Sequence, residues 1–136
     1  MAEDNKGVVR QFLEEVINKH DPSARPDLFA PGYLSHFGSM PPLDHESWQH
    51  MATAYFTGFP DLDVTIQDEV AEGDRVAVRW TWTASHQGDF MGIPPTGKHV
   101  SASGIGVYRL TEGQIAEEWV CEDVAGVLQQ LGAFGS

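Results

Sequence analysis

At residue 62 the spacing of apolar side chains changes from three and four to two, and this change constrains the fold more than any other feature. Before it, Val8, Phe12, Leu13, Val16 and Ile17 form one stripe at helical spacing, and Trp48, Met51, Ala52 and Tyr55 form another. After it, Leu62, Val64 and Ile66 alternate with polar residues, and Val76, Val78, Trp80 and Trp82 alternate with Ala77, Arg79, Thr81 and Thr83. Helices that come first, followed by long strands joined by tight turns, imply an α+β chain with a mostly antiparallel sheet. Helices packed on one face of a strongly curved sheet make a cone, and a cone encloses a cavity.

Capping and turn residues place the elements. Asp4 or Asn5 can open a helix over residues 3–20, and Asp44 one over residues 45–58 that Gly58 and Pro60 stop. Three prolines in residues 21–33 predict turns and a short helix near 25–30, followed by a short extended piece over Tyr33–His36. Glu72-Gly73-Asp74 and Thr111-Glu112-Gly113 are turns, and Gly88–Lys98 is a loop. Strands are expected over Val100–Leu110 and 114–122, with Gly104 and Gly106 marking curvature or a bulge. A last helix over 124–131 is closed by Gly132.

With 136 residues, 41% of them hydrophobic, the chain fits a single domain (1–136) whose core needs no disulfide or structural metal. Cys121, the single cysteine, cannot pair within the chain, which fits a reducing compartment. The N-terminus has no apolar signal core, and no stretch approaches 18 apolar residues, so a cytoplasmic protein is expected. A net charge of −12 repels phosphate backbones and anionic lipid, which argues against nucleic-acid and membrane partners.

No metal or cofactor is expected. His45 and His50 stand about 140° apart around a helix, no His-Glu-x-x-His run occurs, and one cysteine makes no thiolate cluster. Gly104-Ile105-Gly106 sits within a strand, with no helix N-terminus to hold a phosphate.

Strict alternation in the last strand puts Ile115, Glu117, Trp119, Cys121 and Asp123 on one face and Ala116, Glu118, Val120 and Glu122 on the other; a bulge would break this parity. A carboxylate beside Trp119 and apolar walls would be partly buried, and its pKa raised, which suits an acid/base group. Asp123 also precedes an apolar helix and is a good N-cap, and the two roles are compatible. His86, on the Trp80 and Trp82 face, and His36 could each donate a hydrogen bond to a carbonyl or enolate oxygen, or simply bond to backbone. Tyr33, Trp80, Trp82, Phe90, Tyr108 and Trp119 are the candidate walls for a flat, hydrophobic or aromatic substrate.

Six segments carry a resemblance: Phe59-Pro60-Asp61-Leu62, Gly73-Asp74-Arg75-Val76, Gly92-Ile93-Pro94-Pro95-Thr96-Gly97-Lys98, Tyr108-Arg109-Leu110, Gly113 to Trp119, and Asp123 to Gly132. Together they resemble the SnoaL-like polyketide cyclase (ester cyclase) family, over nearly the whole chain. The resemblance implies the NTF2-like cone, a curved mixed or antiparallel sheet wrapped by three to four helices, commonly a homodimer through the open sheet face. It further implies ring closure of an aromatic polyketide ester by intramolecular aldol condensation, without metal or cofactor. Asp123 occupies the place of the family's acid/base aspartate, and His86 and His36 those of its two histidines. Ala84-Ser85 replaces Gly-Thr before His86, and Val127 replaces the first Leu of the terminal helix. The same cavity could serve another isomerase, dehydratase or hydrolase, or a non-catalytic binder.

Overall fold

The computed structural model describes residues 2–133. Helix α1 (Ala2–Phe12) continues as a π-helical turn over Leu13–Ile17, and its buried stripe is Val9, Phe12, Leu13 and Val16. A short 3₁₀ turn (Pro26–Leu28) leads into β1 (Phe29–Phe37). Helix α2 (His45–Gly58) is capped as expected, because the Asp44 side chain accepts from the Ser47 N–H at 2.8 Å. Strands β2 (Asp63–Glu72), β3 (Arg75–Ser85), β4 (His99–Thr111) and β5 (Gln114–Glu122) follow, and α3 (Val124–Gln130) ends the fold.

The five strands form one sheet in the order β1-β5-β4-β3-β2. The pairs β2–β3, β3–β4 and β4–β5 are antiparallel; β1 runs parallel to β5, so the sheet is mixed. The expected extended piece at Tyr33–His36 is thus part of a nine-residue strand. The turns fall where Gly73 (φ +58°) and the pair Glu112 and Gly113 (φ +50° and +77°) take the left-handed conformation.

Two departures from strict alternation matter for the site. In β5, Glu117 pairs with Arg109 but Ile115 pairs with Leu110, so Ala116 is the extra residue of a β-bulge. Past the bulge the inward residues are Glu118 and Val120, while Glu117 and Trp119 face outward. The Trp119 face is therefore not the cavity face that unbroken parity implied. The second departure concerns Gly104 and Gly106, which lie in unbroken register with β3 rather than at a bulge. They are small because rings lie over them. A Cβ on Gly104 would stand 2.4 Å from the Trp80 ring, and one on Gly106 would stand 3.0 Å from the Tyr108 ring.

The inner face of the sheet packs against α1 and α2. Phe12 is the centre of this core, with ring centroids 5.7 Å from Phe29, 5.6 Å from Trp48 and 6.0 Å from Tyr108. On the outer face one rung crosses all five strands: Val70, Ala77, Val107, Trp119 and His36. Among the described residues no helix is long and apolar enough to cross a membrane.

Candidate active site

Sheet register determines which side chains enter the cone. One inner rung reads Val76, Tyr108, Glu118, Ser35; another reads Ile66, Trp80, Gly104, Glu122. Of these, Tyr108, Glu118, Ser35, Trp80 and Glu122 join Trp82 and Val120 as the sheet wall of an apolar chamber, and Phe12, Trp48, Met51 and Tyr55 close it from the helices. Its empty volume, with the open side included, is about 670 Å³. A second, outer cavity is lined by Met40, Phe90, Met91 and Val124 among others. The two share Phe37, Met51, Tyr55 and Glu122, so Glu122 stands where the mouth passes into the chamber.

Glu122 is fixed by two donors. The Tyr55 hydroxyl donates to one carboxylate oxygen at 2.6 Å, and Trp82 Nε1–H donates to the other at 2.8 Å. Trp82 also packs edge-on against Tyr55, with centroids 6.3 Å apart. Burial pushes the Glu122 carboxyl above its ordinary value and the adjacent Asp123 charge adds to this, while the bonds from Tyr55 and Trp82 oppose it. Burial, followed by the Glu122 charge, pushes the Tyr55 phenol upward. The result is a carboxylate held in a fixed orientation and half-withdrawn from water.

Glu118 lies deeper and is fully buried. The Tyr33 hydroxyl donates to its Oε1. Burial pushes the Glu118 carboxyl up to about 8, so it is largely protonated at neutral pH. The folded chain then holds a proton that the unfolded carboxyl releases. Stability contributed by this group is complete below its ordinary value of 4.5 and falls as pH rises toward about 8. Glu118→Gln keeps the shape and the acceptor for Tyr33 but cannot ionise. Its stability relative to wild type should climb between pH 5 and 8, by at most about 1.4 kcal/mol per pH unit. Urea unfolding at several pH values measures this; a flat difference would show that Glu118 carries no such burden.

The residues anticipated from sequence separate into two groups. Trp80, Trp82 and Tyr108 line the chamber, Phe90 lines its mouth, and Tyr33 is buried against Glu118. The others lie elsewhere. Trp119 and His36 stack on each other on the outer face, 5.4 Å apart and 8° from parallel. Arg75 covers the Trp119 ring at 5.2 Å, and Glu117 bonds His36 at 2.6 Å. His86 is inward and fully buried, but it meets Phe59 and binds the 88–98 loop, its Nδ1 accepting from the Thr96 N–H at 3.1 Å. Asp123 is exposed rather than partly buried, and its Oδ1 accepts from the Gly126 N–H at 2.9 Å as the cap of α3. The Ala116 bulge is the reason, because it turns Glu122 rather than Asp123 inward. Glu118, Glu122, Ser35 and Tyr55 were not anticipated. The available signal was a run of acid, apolar, acid at alternate positions, Glu118-x-Val120-x-Glu122.

Among the described residues no three His, Cys, Asp or Glu side chains stand together as metal ligands. Arg79 is on the outer face and paired with Asp68 at 2.6 Å.

The family model for SnoaL-like polyketide cyclases matches residues 7–131. The chain belongs to the SnoaL-like polyketide cyclase family. Its fold is the NTF2-like cone, shared with solved structures. A candidate hydroxylase, AclR from Streptomyces galilaeus, is 28% identical with a TM-score of 0.89, over 98% of both chains. A candidate polyketide cyclase from Acidithiobacillus ferrooxidans is 33% identical (TM-score 0.84, 94% of both chains). IdmH of Streptomyces antibioticus, also a candidate polyketide cyclase, is 31% identical (TM-score 0.82, 94% of this chain and 98% of that one). No curated protein matches the chain. Family membership supports cyclase- or isomerase-type chemistry on a small molecule, and the neighbours' differing descriptions leave the reaction to the site itself.

Proposed function

We propose that this SnoaL-like chain closes a ring by intramolecular aldol condensation of a flat, apolar carbonyl compound, with Glu122 as the proton carrier. The observation that carries the reading is the place of Glu122: oriented by Tyr55 and Trp82, at the junction of chamber and mouth. The carboxylate removes a proton from a carbon between two carbonyls. The enolate carbon attacks a ring carbonyl, forming one C–C bond, and Glu122 returns the proton to the new alkoxide. The substrate's own conjugation spreads the enolate charge, so the protein supplies position and one base, and the step asks for no cofactor. Asp123, the residue matched to the family's aspartate, acts here through its charge, which lifts the Glu122 pKa.

The test is incubation with aromatic polyketide esters carrying an acidic methylene. A product of unchanged mass with one new ring is expected. Recovery of the ester unchanged, or of hydrolysed ester alone, would overturn the reading. The proposed site is cytoplasmic and the substrate a small hydrophobic or aromatic molecule.

We further propose a homodimer through the outer sheet face. That face exposes Val70 and Ile105 and presents the rung through Val107 and Trp119, and a sheet face that the helices leave open favours a partner. Light scattering should give twice the chain mass of 15.0 kDa; a monomer mass at working concentration would refute this.

A further inference from the structure

The inner end of the chamber contains a polar feature that the proton carrier does not use. Ser35 and Glu118 are direct partners across the parallel β1–β5 ladder, and both side chains line the chamber. Ser35 is fully buried, and among the described residues its Oγ has no hydrogen-bond partner. Its backbone is satisfied, since Ser35 N–H and C=O both pair with Leu43 at 2.8 Å. The side chain is therefore a hydroxyl held in an apolar wall with nothing in the protein to bond. Such a group costs stability, and an alanine would fit the same strand. Beside it, Glu118 Oε1 is occupied by Tyr33, which fixes the carboxyl in the wall. Around them stand Phe12, Trp48, Tyr108 and Val120, surfaces suited to a flat ring.

We propose that Ser35 and Glu118 form a socket for a carbonyl oxygen at the inner end of a flat apolar ligand. The ligand class follows: a fused or conjugated ring system with one oxygen function seated at Ser35 and Glu118 and its reacting carbons toward Glu122. The inference rests on reading the chamber as the substrate site, and it adds a specificity element at the end opposite the proton carrier. Ser35 Oγ–H and the Glu118 hydroxyl are the two donors, and the carbonyl oxygen has two lone pairs to receive them. A hydrocarbon of the same shape would leave both unpaired, and the site discriminates against it for that reason.

The probes are 9-fluorenone and fluorene, nearly the same shape and differing by one carbonyl. Binding is read from quenching of the tryptophans that line the chamber. Ser35→Ala should lower the affinity for fluorenone relative to fluorene by roughly three- to tenfold against wild type, the scale of one neutral hydrogen bond. Glu118→Met should do the same. Fluorene affinity should stay near wild type in both. Ser35→Ala should also melt at or above the wild-type temperature, which a merely structural serine would not allow. If both probes bind but the fluorenone-to-fluorene ratio is unmoved by Ser35→Ala, the socket is wrong while the chamber stands, and solvent alone satisfies the hydroxyl. If neither probe binds wild type, the chamber reading and the socket fall together.

Discussion

Glu122→Gln should fold as wild type does and lose on the order of 10²–10⁴ in turnover, the usual scale for a positioned acid/base. Gln fits the same contacts: its Oε1 accepts from Trp82 Nε1–H, and its amide donates to the Tyr55 oxygen where the carboxylate accepted. The variant loses the carboxylate's charge and its capacity to carry a proton, and the Tyr55 bond reverses direction. The partner experiment is Asp123→Asn. Asn caps about as well as Asp, and the Asp123 side chain is exposed with its bond to Gly126. Its loss of one negative charge eases the pressure on Glu122, so a change within a few-fold is expected. Turnover and melting temperature measured on both variants decide between the neighbouring carboxylates. Wild-type turnover in Glu122→Gln, with collapse in Asp123→Asn, would return the proton to Asp123.

Phe12→Ala should cost roughly 3–5 kcal/mol of folding stability, the range for removing a buried phenylalanine. The ring is 2% exposed and touches aromatic partners from three elements: Phe29 of β1, Trp48 of α2 and Tyr108 of β4. None of these can collapse into the gap without leaving its own contacts, so the cavity term stays large. A domain of this size has about 5–15 kcal/mol in total, so the loss is a substantial share of what holds the chain folded. Urea denaturation should show a lower midpoint with an unchanged slope. A loss under about 1 kcal/mol would mean that α1 is not a structural wall of the chamber.

Much of the fold was legible because local rules and global packing agree. Asp44 caps where it was expected to, the period-two run from residue 62 became β2 and β3, and Glu112-Gly113 made the last hairpin turn. The extent of β1 was not legible. Pro31 and Gly32 interrupt its pattern, and the strand that organises it, β5, is about 80 residues away in sequence. In the chamber wall, Trp80 and Trp82 sit on the face that alternation in β3 implies, since β3 pairs with β4 without a break. Parity failed in β5, where one extra residue at Ala116 reverses it and no side chain announces a bulge. Trp119 then pairs with Arg75 and His36 outside, a cation–π and stacking arrangement that makes an outward tryptophan tolerable.

That extra residue also changes what a deletion would mean. Losing one residue in a surface turn is normally harmless, and losing one from the middle of a regular strand ruins it. Removing Ala116 would do neither: it would make β5 more regular. Because Ile115 already faces inward, Glu117 would follow it outward, and Glu118 and Glu122 would stay in the cone with Trp119 and Cys121 outside. Pairing Ala116 as an ordinary strand residue would do the opposite: it would send Glu118 and Glu122 outside and lose the arrangement that makes them acids in an apolar space. In this fold, then, the identity of the chemistry depends on which residue is left out of the pairing as much as on the kinds of residue present.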